Sequence, residues 1–120
     1  DMRLPISLAL HGGVREPLPI ARQPFVGTTL HFEEPDAAHF PCLGLAFEAF
    51  RQGGNIPCLL NAANEVAVRA FLDERIGFTE IARLIEPIMT AVPYDATPTL
   101  DALLHYHDVA TALASEQLSR

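Results

Sequence analysis

Apolar residues recur every three or four positions through the second half of this chain, which is the spacing that places side chains on one face of an α-helix. Four such stretches follow one another, beginning at Pro41, near Pro57, at Thr79 and at Thr99. The first carries an apolar face formed by Leu43, Ala46, Phe47 and Phe50. A face of this kind is typical of a helix that packs against a core. Short loops between the stretches predict a four-helix bundle over residues 37–120.

Threonine and proline modify this picture in the third and fourth stretches. Thr79 and Thr99 are predicted helix starts, because a threonine hydroxyl can accept hydrogen bonds from the first amides of a helix. Pro87 lies inside the third stretch. It lacks a backbone N–H, so we expect it to kink or end that helix at a cost of about 3 kcal/mol if the strain is not relieved.

The first 36 residues differ in pattern from the rest. Residues 1–12 contain a short predicted helix that is stopped by Gly12-Gly13. Prolines then recur at close intervals in residues 13–36, which predicts an extended linker. Within it, the alternating and β-branched stretch Thr28–Phe32 predicts one short strand. The predicted fold is therefore mainly α: a short helix, a proline-rich linker with a strand, and the bundle.

Composition narrows the possible functions. The 120 residues, 49% of them hydrophobic, are enough for one domain with a core. The net charge of −7 argues against nucleic-acid binding and against an anionic membrane surface. Apolar runs are too short for a bilayer-spanning helix, so we expect no membrane association. Cys42 and Cys58 each adjoin a proline at the start of a helical pattern, where a small buried thiol is common, which favours a reduced, cytoplasmic setting.

The most informative polar cluster is Asn61, Asn64 and Glu65, which share one helical face in an apolar sequence. In a functional interpretation, the amides and the acid orient a ligand or loop, or the carboxylate binds a metal. In a structural interpretation, they satisfy backbone groups of the linker or a neighbouring helix, because unpaired buried polar groups cost roughly 1–3 kcal/mol each. We favour the structural interpretation and leave the other open.

No other residues form a convincing catalytic or metal site. His105 and His107 are two positions apart on a helix and point in directions about 200° different, which does not suit one metal ion. No serine stands in a nucleophile-elbow pattern, and neither cysteine has a basic neighbour. The residues alone therefore predict no catalytic site and no metal site.

Several segments resemble deoxyxylulose phosphate reductoisomerases in order and spacing. They are DMRLPI at Asp1–Ile6, LHFEEPD at Leu30–Asp36, FPCL at Phe40–Leu43, and LNAANEVAV at Leu60–Val68. The resemblance covers nearly the whole chain and is patchy from Gly12 to Gly27. The segment His11–Val14, Pro87 and the stretch His105–His107 depart from the family pattern.

The resemblance implies that this chain is the C-terminal, structural portion of an enzyme of isoprenoid biosynthesis. Such an enzyme converts 1-deoxy-D-xylulose 5-phosphate to 2-C-methyl-D-erythritol 4-phosphate with NADPH and a divalent metal, Mg or Mn. Residues 1–12 are then the tail of the catalytic domain, residues 13–36 the linker and residues 37–120 the C-terminal bundle. The nucleotide-binding domain and the rest of the catalytic domain precede the matched region, and the whole is a homodimer. Met2 is the single residue to which the resemblance gives a cofactor-binding role, as an apolar wall beside the nicotinamide. This chain alone is then expected to bind no cofactor.

A second hypothesis comes from a different class of function. The chain would be a stand-alone helical interaction module, derived from such an enzyme and binding a protein partner through an apolar surface. Because the sequence opens at Asp1 rather than at a natural start, we expect a fragment of a longer protein.

Overall fold

The computed structural model describes residues 1–22 and 24–119; Gln23 of the predicted linker and Arg120 at the end of the predicted bundle lie outside that range. Five α-helices form in the described residues: α1 (Arg3–Leu10), α2 (Pro41–Gln52), α3 (Ile56–Leu72), α4 (Glu80–Ala91) and α5 (Leu100–Gln117). The mainly α-helical fold class is confirmed. The arrangement of the last four helices as a regular bundle stays a prediction.

Two compact units divide the chain. Asp1–Glu33 forms one, and it contains α1. The other begins at Glu34 and contains the remaining helices. Ahead of α2, the Asp36 carboxylate accepts hydrogen bonds from the amides of Ala38 and His39 and pairs with Nδ1 of His39 at 2.5 Å. These contacts, led by the backbone amide of His39, lower the pKa of Asp36.

The predicted strand at Thr28–Phe32 is wrong. These residues have no regular secondary structure, and the described residues contain no strand with which they could pair. Leu30 and Phe32 are both exposed. β-branched residues favour an extended backbone, but a strand also needs a hydrogen-bonded neighbour.

Helix α3 is central to the second unit, because it packs against α2, α4 and α5. Its buried residues are Ile56, Leu59, Ala62, Ala63, Ala67 and Ala70. Four of the six are alanines, whose small side chains let neighbouring helices approach closely. Helix α4 contributes the larger core residues, which are Ile81, Ala82, Leu84, Ile85, Ile88 and Met89. Helices α3 and α4 therefore form most of the core.

Helix α2 meets the core through two residues and leaves its phenylalanines exposed. Ala49 is buried and Leu45 packs against the core. The exposed apolar residues are Phe40, Leu43, Phe47 and Phe50, which together we call the phenylalanine face. The sequence pattern located an apolar face on this helix, but that face does not pack in the core of this unit. The residues of α2 that pack in the core are Ala49 and Leu45, on the opposite side of the helix.

Pro87 does not end α4, which continues unbroken to Ala91. The missing N–H would have bonded the carbonyl of Arg83, four residues earlier. Both Pro87 and Arg83 are exposed, so solvent can hydrate that carbonyl. The expectation that the proline ends this helix is therefore wrong, because the proline lies on the outer side, where the lost hydrogen bond is replaced cheaply.

The two threonine starts have different outcomes. Thr79 has helical backbone angles and caps nothing with its side chain. Instead, the carboxylate of Glu80 accepts a hydrogen bond from the amide of Gly77 at 2.6 Å. Thr99 has an extended backbone, and its hydroxyl accepts a hydrogen bond from the amide of Ala102 at 3.2 Å, as predicted. A side-chain cap needs the extended geometry, which only Thr99 has.

Thr99 supplies a testable prediction. Replacing Thr99 with alanine leaves the amide of Ala102 without its acceptor, so we expect the free energy of unfolding to fall by about 1 kcal/mol. Thr79→Ala is the matched control, and we expect it to change stability by less than about 0.5 kcal/mol. Urea unfolding followed by circular dichroism measures both. Equal effects of the two changes would contradict the capping role of Thr99.

None of the helices in the described ranges is both long enough and apolar enough to cross a membrane.

Candidate functional site

The three polar residues that the sequence singled out lie on the outer side of α3. The side-chain amide of Asn61 donates to a carboxylate oxygen of Glu65 at 3.0 Å, and both residues are exposed. Asn64 is half-buried. Asn61 and Glu65 satisfy each other across one turn rather than backbone groups of another segment. The structural interpretation is therefore wrong in its detail for this pair, because neither side chain is buried.

An open groove of about 490 Å³ lies between the second half of α3 and the end of α5. Its charged lining residues are Glu65, Arg69 and Arg75, and His107 lies beside them. Arg69 is already paired with Asp73 at 3.1 Å, and both side chains are largely exposed. Hydroxyls of Thr111, Ser115 and Ser119 line the α5 side, and those of Ser115 and Ser119 bond helix carbonyls. The groove mixes opposite charges and offers no concentrated anion-binding or acid–base centre.

Asn55 is the most deeply buried polar residue in the described part of the protein, with 0% of its surface exposed. Its amide nitrogen donates to the carbonyl of Pro93 at 2.9 Å, and its side-chain oxygen accepts from the amide of Asp95 at 3.0 Å. The backbone amide of Asn55 also donates to the carbonyl of Asp95 at 3.0 Å. One residue thus ties the turn between α2 and α3 to the loop between α4 and α5. We call these contacts the Asn55 clamp.

Two tyrosines extend the Asn55 clamp. The hydroxyl of Tyr94 donates to the carbonyl of Gln52 at 2.9 Å, and the hydroxyl of Tyr106 donates to the carboxylate of Asp95 at 3.1 Å. Desolvation, followed by the hydrogen bond and negative charge of Asp95, raises the pKa of Tyr106. The tyrosine therefore stays a neutral donor over the ordinary pH range. These bonds hold the α4–α5 loop to the end of α2 and to α5.

The sequence pattern did not predict the Asn55 clamp. Asn55 precedes a predicted helix, where asparagine usually caps its own helix, and that local role conceals a bond to a loop about 40 residues away. In the structure, Asn55 has helical backbone angles and makes no side-chain cap. A usable signal was the pair Gly53-Gly54 just before it, since both glycines have positive φ angles. Such a tight turn lets another backbone approach closely.

The remaining candidates are dispersed. Met2 is 71% exposed and lies immediately before α1. Both cysteines are free: Cys42 is exposed, against the expectation of a buried thiol, and the Cys58 thiol donates to the carbonyl of Leu103 at 3.3 Å. Among residues 1–22 and 24–119, no three histidine, cysteine or acidic side chains come close enough to hold a metal ion.

Comparison with known proteins decides the family. The family model described as the DXP reductoisomerase C-terminal domain matches residues 1–113. This chain belongs to the DXP reductoisomerase family. The 1-deoxy-D-xylulose 5-phosphate reductoisomerase of Methylobacillus flagellatus is 48% identical over 119 residues, which are 97% of this chain and 30% of that protein. The reductoisomerase of Cellvibrio japonicus is 46% identical over 121 residues, with 100% and 30% covered.

A solved reductoisomerase structure agrees with this placement. The enzyme from Zymomonas mobilis, in complex with NADPH, superimposes with a TM-score of 0.83 and 35% identity. The match covers 100% of this chain and 32% of that one. This chain therefore spans about 30% of the length of the reductoisomerases it matches, and the family description assigns that portion to the C-terminal end.

Proposed function

We propose that this chain is the structural C-terminal part of an enzyme that converts 1-deoxy-D-xylulose 5-phosphate to 2-C-methyl-D-erythritol 4-phosphate in isoprenoid biosynthesis. The observation that carries the proposal is the similarity along 97% of the chain to one end of a reductoisomerase. In this proposal the complete enzyme is a cytoplasmic homodimer that uses NADPH and Mg or Mn. Its nucleotide-binding and catalytic domains precede the matched segment.

The residues of this chain support a scaffold role better than a catalytic one. Three clustered ligands for a divalent metal are not found in the described residues. In the groove beside α5, Glu65 lies with the two arginines, and Arg69 already pairs with Asp73. The groove is therefore a poor match to the negatively charged phosphates of NADPH. The described side chains therefore offer no site for the metal or for the phosphates of NADPH. Met2 remains proposed as a wall of the nicotinamide pocket.

A chimera tests this proposal. In the Methylobacillus flagellatus enzyme, the matching C-terminal segment is exchanged for this chain, and oxidation of NADPH is followed with 1-deoxy-D-xylulose 5-phosphate and Mg²⁺. We expect kcat/KM to stay within about tenfold of the parent enzyme's value. Imperfect packing at the new junctions should raise the activation free energy by no more than about 1.4 kcal/mol, which corresponds to that factor. A folded chimera without turnover would argue against the proposal. So would oxidation of NADPH by this chain alone under the same conditions.

The stand-alone interaction module is the second candidate, and the exposed phenylalanine face is the observation that favours it. Codons upstream of Asp1 discriminate the two. A continuous reading frame that encodes a nucleotide-binding domain supports the enzyme part, whereas a stop codon followed by a start near Asp1 supports the module.

A further inference from the structure

The phenylalanine face is a continuous apolar strip on the outside of α2. Its four residues are between 45% and 81% exposed, and Phe50 is the most exposed of them. With 100° of rotation per residue, the three members inside α2, Leu43, Phe47 and Phe50, fall within an arc of about 60°, and Phe40 lies immediately before the helix. No charged residue of α2 falls in that arc; Arg51 and Glu48, which pair at 3.0 Å, lie along one flank. The strip thus has an apolar centre with a polar border, as protein interfaces do.

The opposite side of the same helix already meets the core. Leu45 and Ala49 point about 170° and about 130° away from the centre of the arc formed by Leu43, Phe47 and Phe50. Helix α2 is therefore apolar on two sides, and its own unit covers only the side with the smaller residues. A helix with apolar residues on two opposite sides is typical of one that is covered on both.

Aromatic contacts widen the strip beyond α2. The ring of Phe78, in the loop between α3 and α4, lies edge-on to Phe40 with centroids 6.1 Å apart. The same ring lies edge-on to Phe71, at the end of α3, with centroids 6.0 Å apart. All three rings keep exposed surface. Edge-to-face packing fixes their positions, so the surface is ordered before any partner arrives.

We infer that the phenylalanine face docks on the polypeptide that precedes this segment in the reductoisomerases, against an apolar surface of that polypeptide. The inference rests on the proposed function. The aligned part is 30% of each matched reductoisomerase, so more than twice that length of polypeptide lies outside it. The family description places that polypeptide ahead of this segment. A partner with a charged surface is disfavoured, because its charges would be buried against the phenylalanine face, which offers no opposite charge to pair with them.

Hydrogen exchange measures this docking in the chimera. Amides of residues 43–52 are compared between this chain alone and the chimera with the Methylobacillus flagellatus enzyme. We expect exchange to slow at least about tenfold in the chimera, because docking removes local openings of α2. The double change Phe47→Ser and Phe50→Ser is expected to abolish the slowing while leaving the exchange of the chain alone nearly unchanged.

The control is Leu100→Ser with Leu104→Ser, a pair of comparably exposed leucines on α5. We expect this pair to preserve the slowing in the chimera. A chimera that turns over but shows unchanged exchange in α2 would overturn the docking and leave the proposed function standing. A chimera with slowed exchange but no turnover would support the docking and count against the proposed function.

Sedimentation of the isolated chain tests the competing occupant, a second copy. We expect a monomer at micromolar concentration. A dimer that the Phe47→Ser and Phe50→Ser change dissociates would assign the face to self-association and overturn the inference.

Discussion

Replacing Gly54 with alanine is expected to lower the free energy of unfolding by about 3 kcal/mol. Gly54 has φ of +57°, which alanine adopts only with strain. In addition, a Cβ there would collide with the carbonyl oxygen of Asp95 and lie 2.9 Å from Cε2 of Tyr94. The Asp95 carbonyl cannot retreat freely, because it accepts the backbone amide of Asn55. Thermal unfolding should show a fall of roughly 15 °C in Tm for a unit of this size.

Gly44 provides a control of opposite sign. It lies inside α2 without a positive φ angle, and a Cβ there would meet nothing within 4 Å. Gly44→Ala should therefore raise stability by about 0.5–1 kcal/mol, since alanine restricts the unfolded chain and favours the helix. Similar Tm values for the two alanine variants would contradict the close approach at Gly54.

Much of the helical architecture was predictable from spacing. The apolar residues of α4 recur so regularly that most become core, and Thr99 begins α5 as its residue type suggests. Helical periodicity reports that a face is apolar, but it cannot report which body covers it. For this reason the spacing placed Phe47 and Phe50, the largest apolar side chains of α2, on one face but did not show that this face stays exposed.

The predicted strand failed for a related reason. Propensity is local, whereas a strand exists only with a partner, and Thr28–Phe32 has none among the described residues. The candidate site shows the same limit. Asn61 and Glu65 attracted attention because they are neighbours on a helix, yet they are exposed and bond each other. Asn55, the buried amide, bonds a loop whose approach depends on the packing of four helices, which no local pattern encodes.

Asn55→Ala is expected to lower the free energy of unfolding by about 3 kcal/mol, because the partly buried carbonyl of Pro93 and amide of Asp95 each lose a partner and the buried Asn55 side chain leaves a void. The matched control is Asn61→Ala, within α3. It removes one exposed hydrogen bond, so a change within about 0.5 kcal/mol is expected. Urea unfolding at neutral pH measures both variants, and equal losses would contradict the Asn55 clamp.

Asn55→Asp separates the hydrogen bonds of the Asn55 clamp from the volume of the side chain. Aspartate keeps an oxygen for the amide of Asp95 but, when ionised, cannot donate to the carbonyl of Pro93. Burial raises the pKa of such a carboxyl above its unfolded value, so the folded state binds a proton more tightly than the unfolded state. The loss of stability should therefore shrink as pH falls from about 8 to about 5, as the buried acid becomes protonated and regains a donor. A loss independent of pH would show that shape, rather than the donated hydrogen bond, ties the α4–α5 loop to α3.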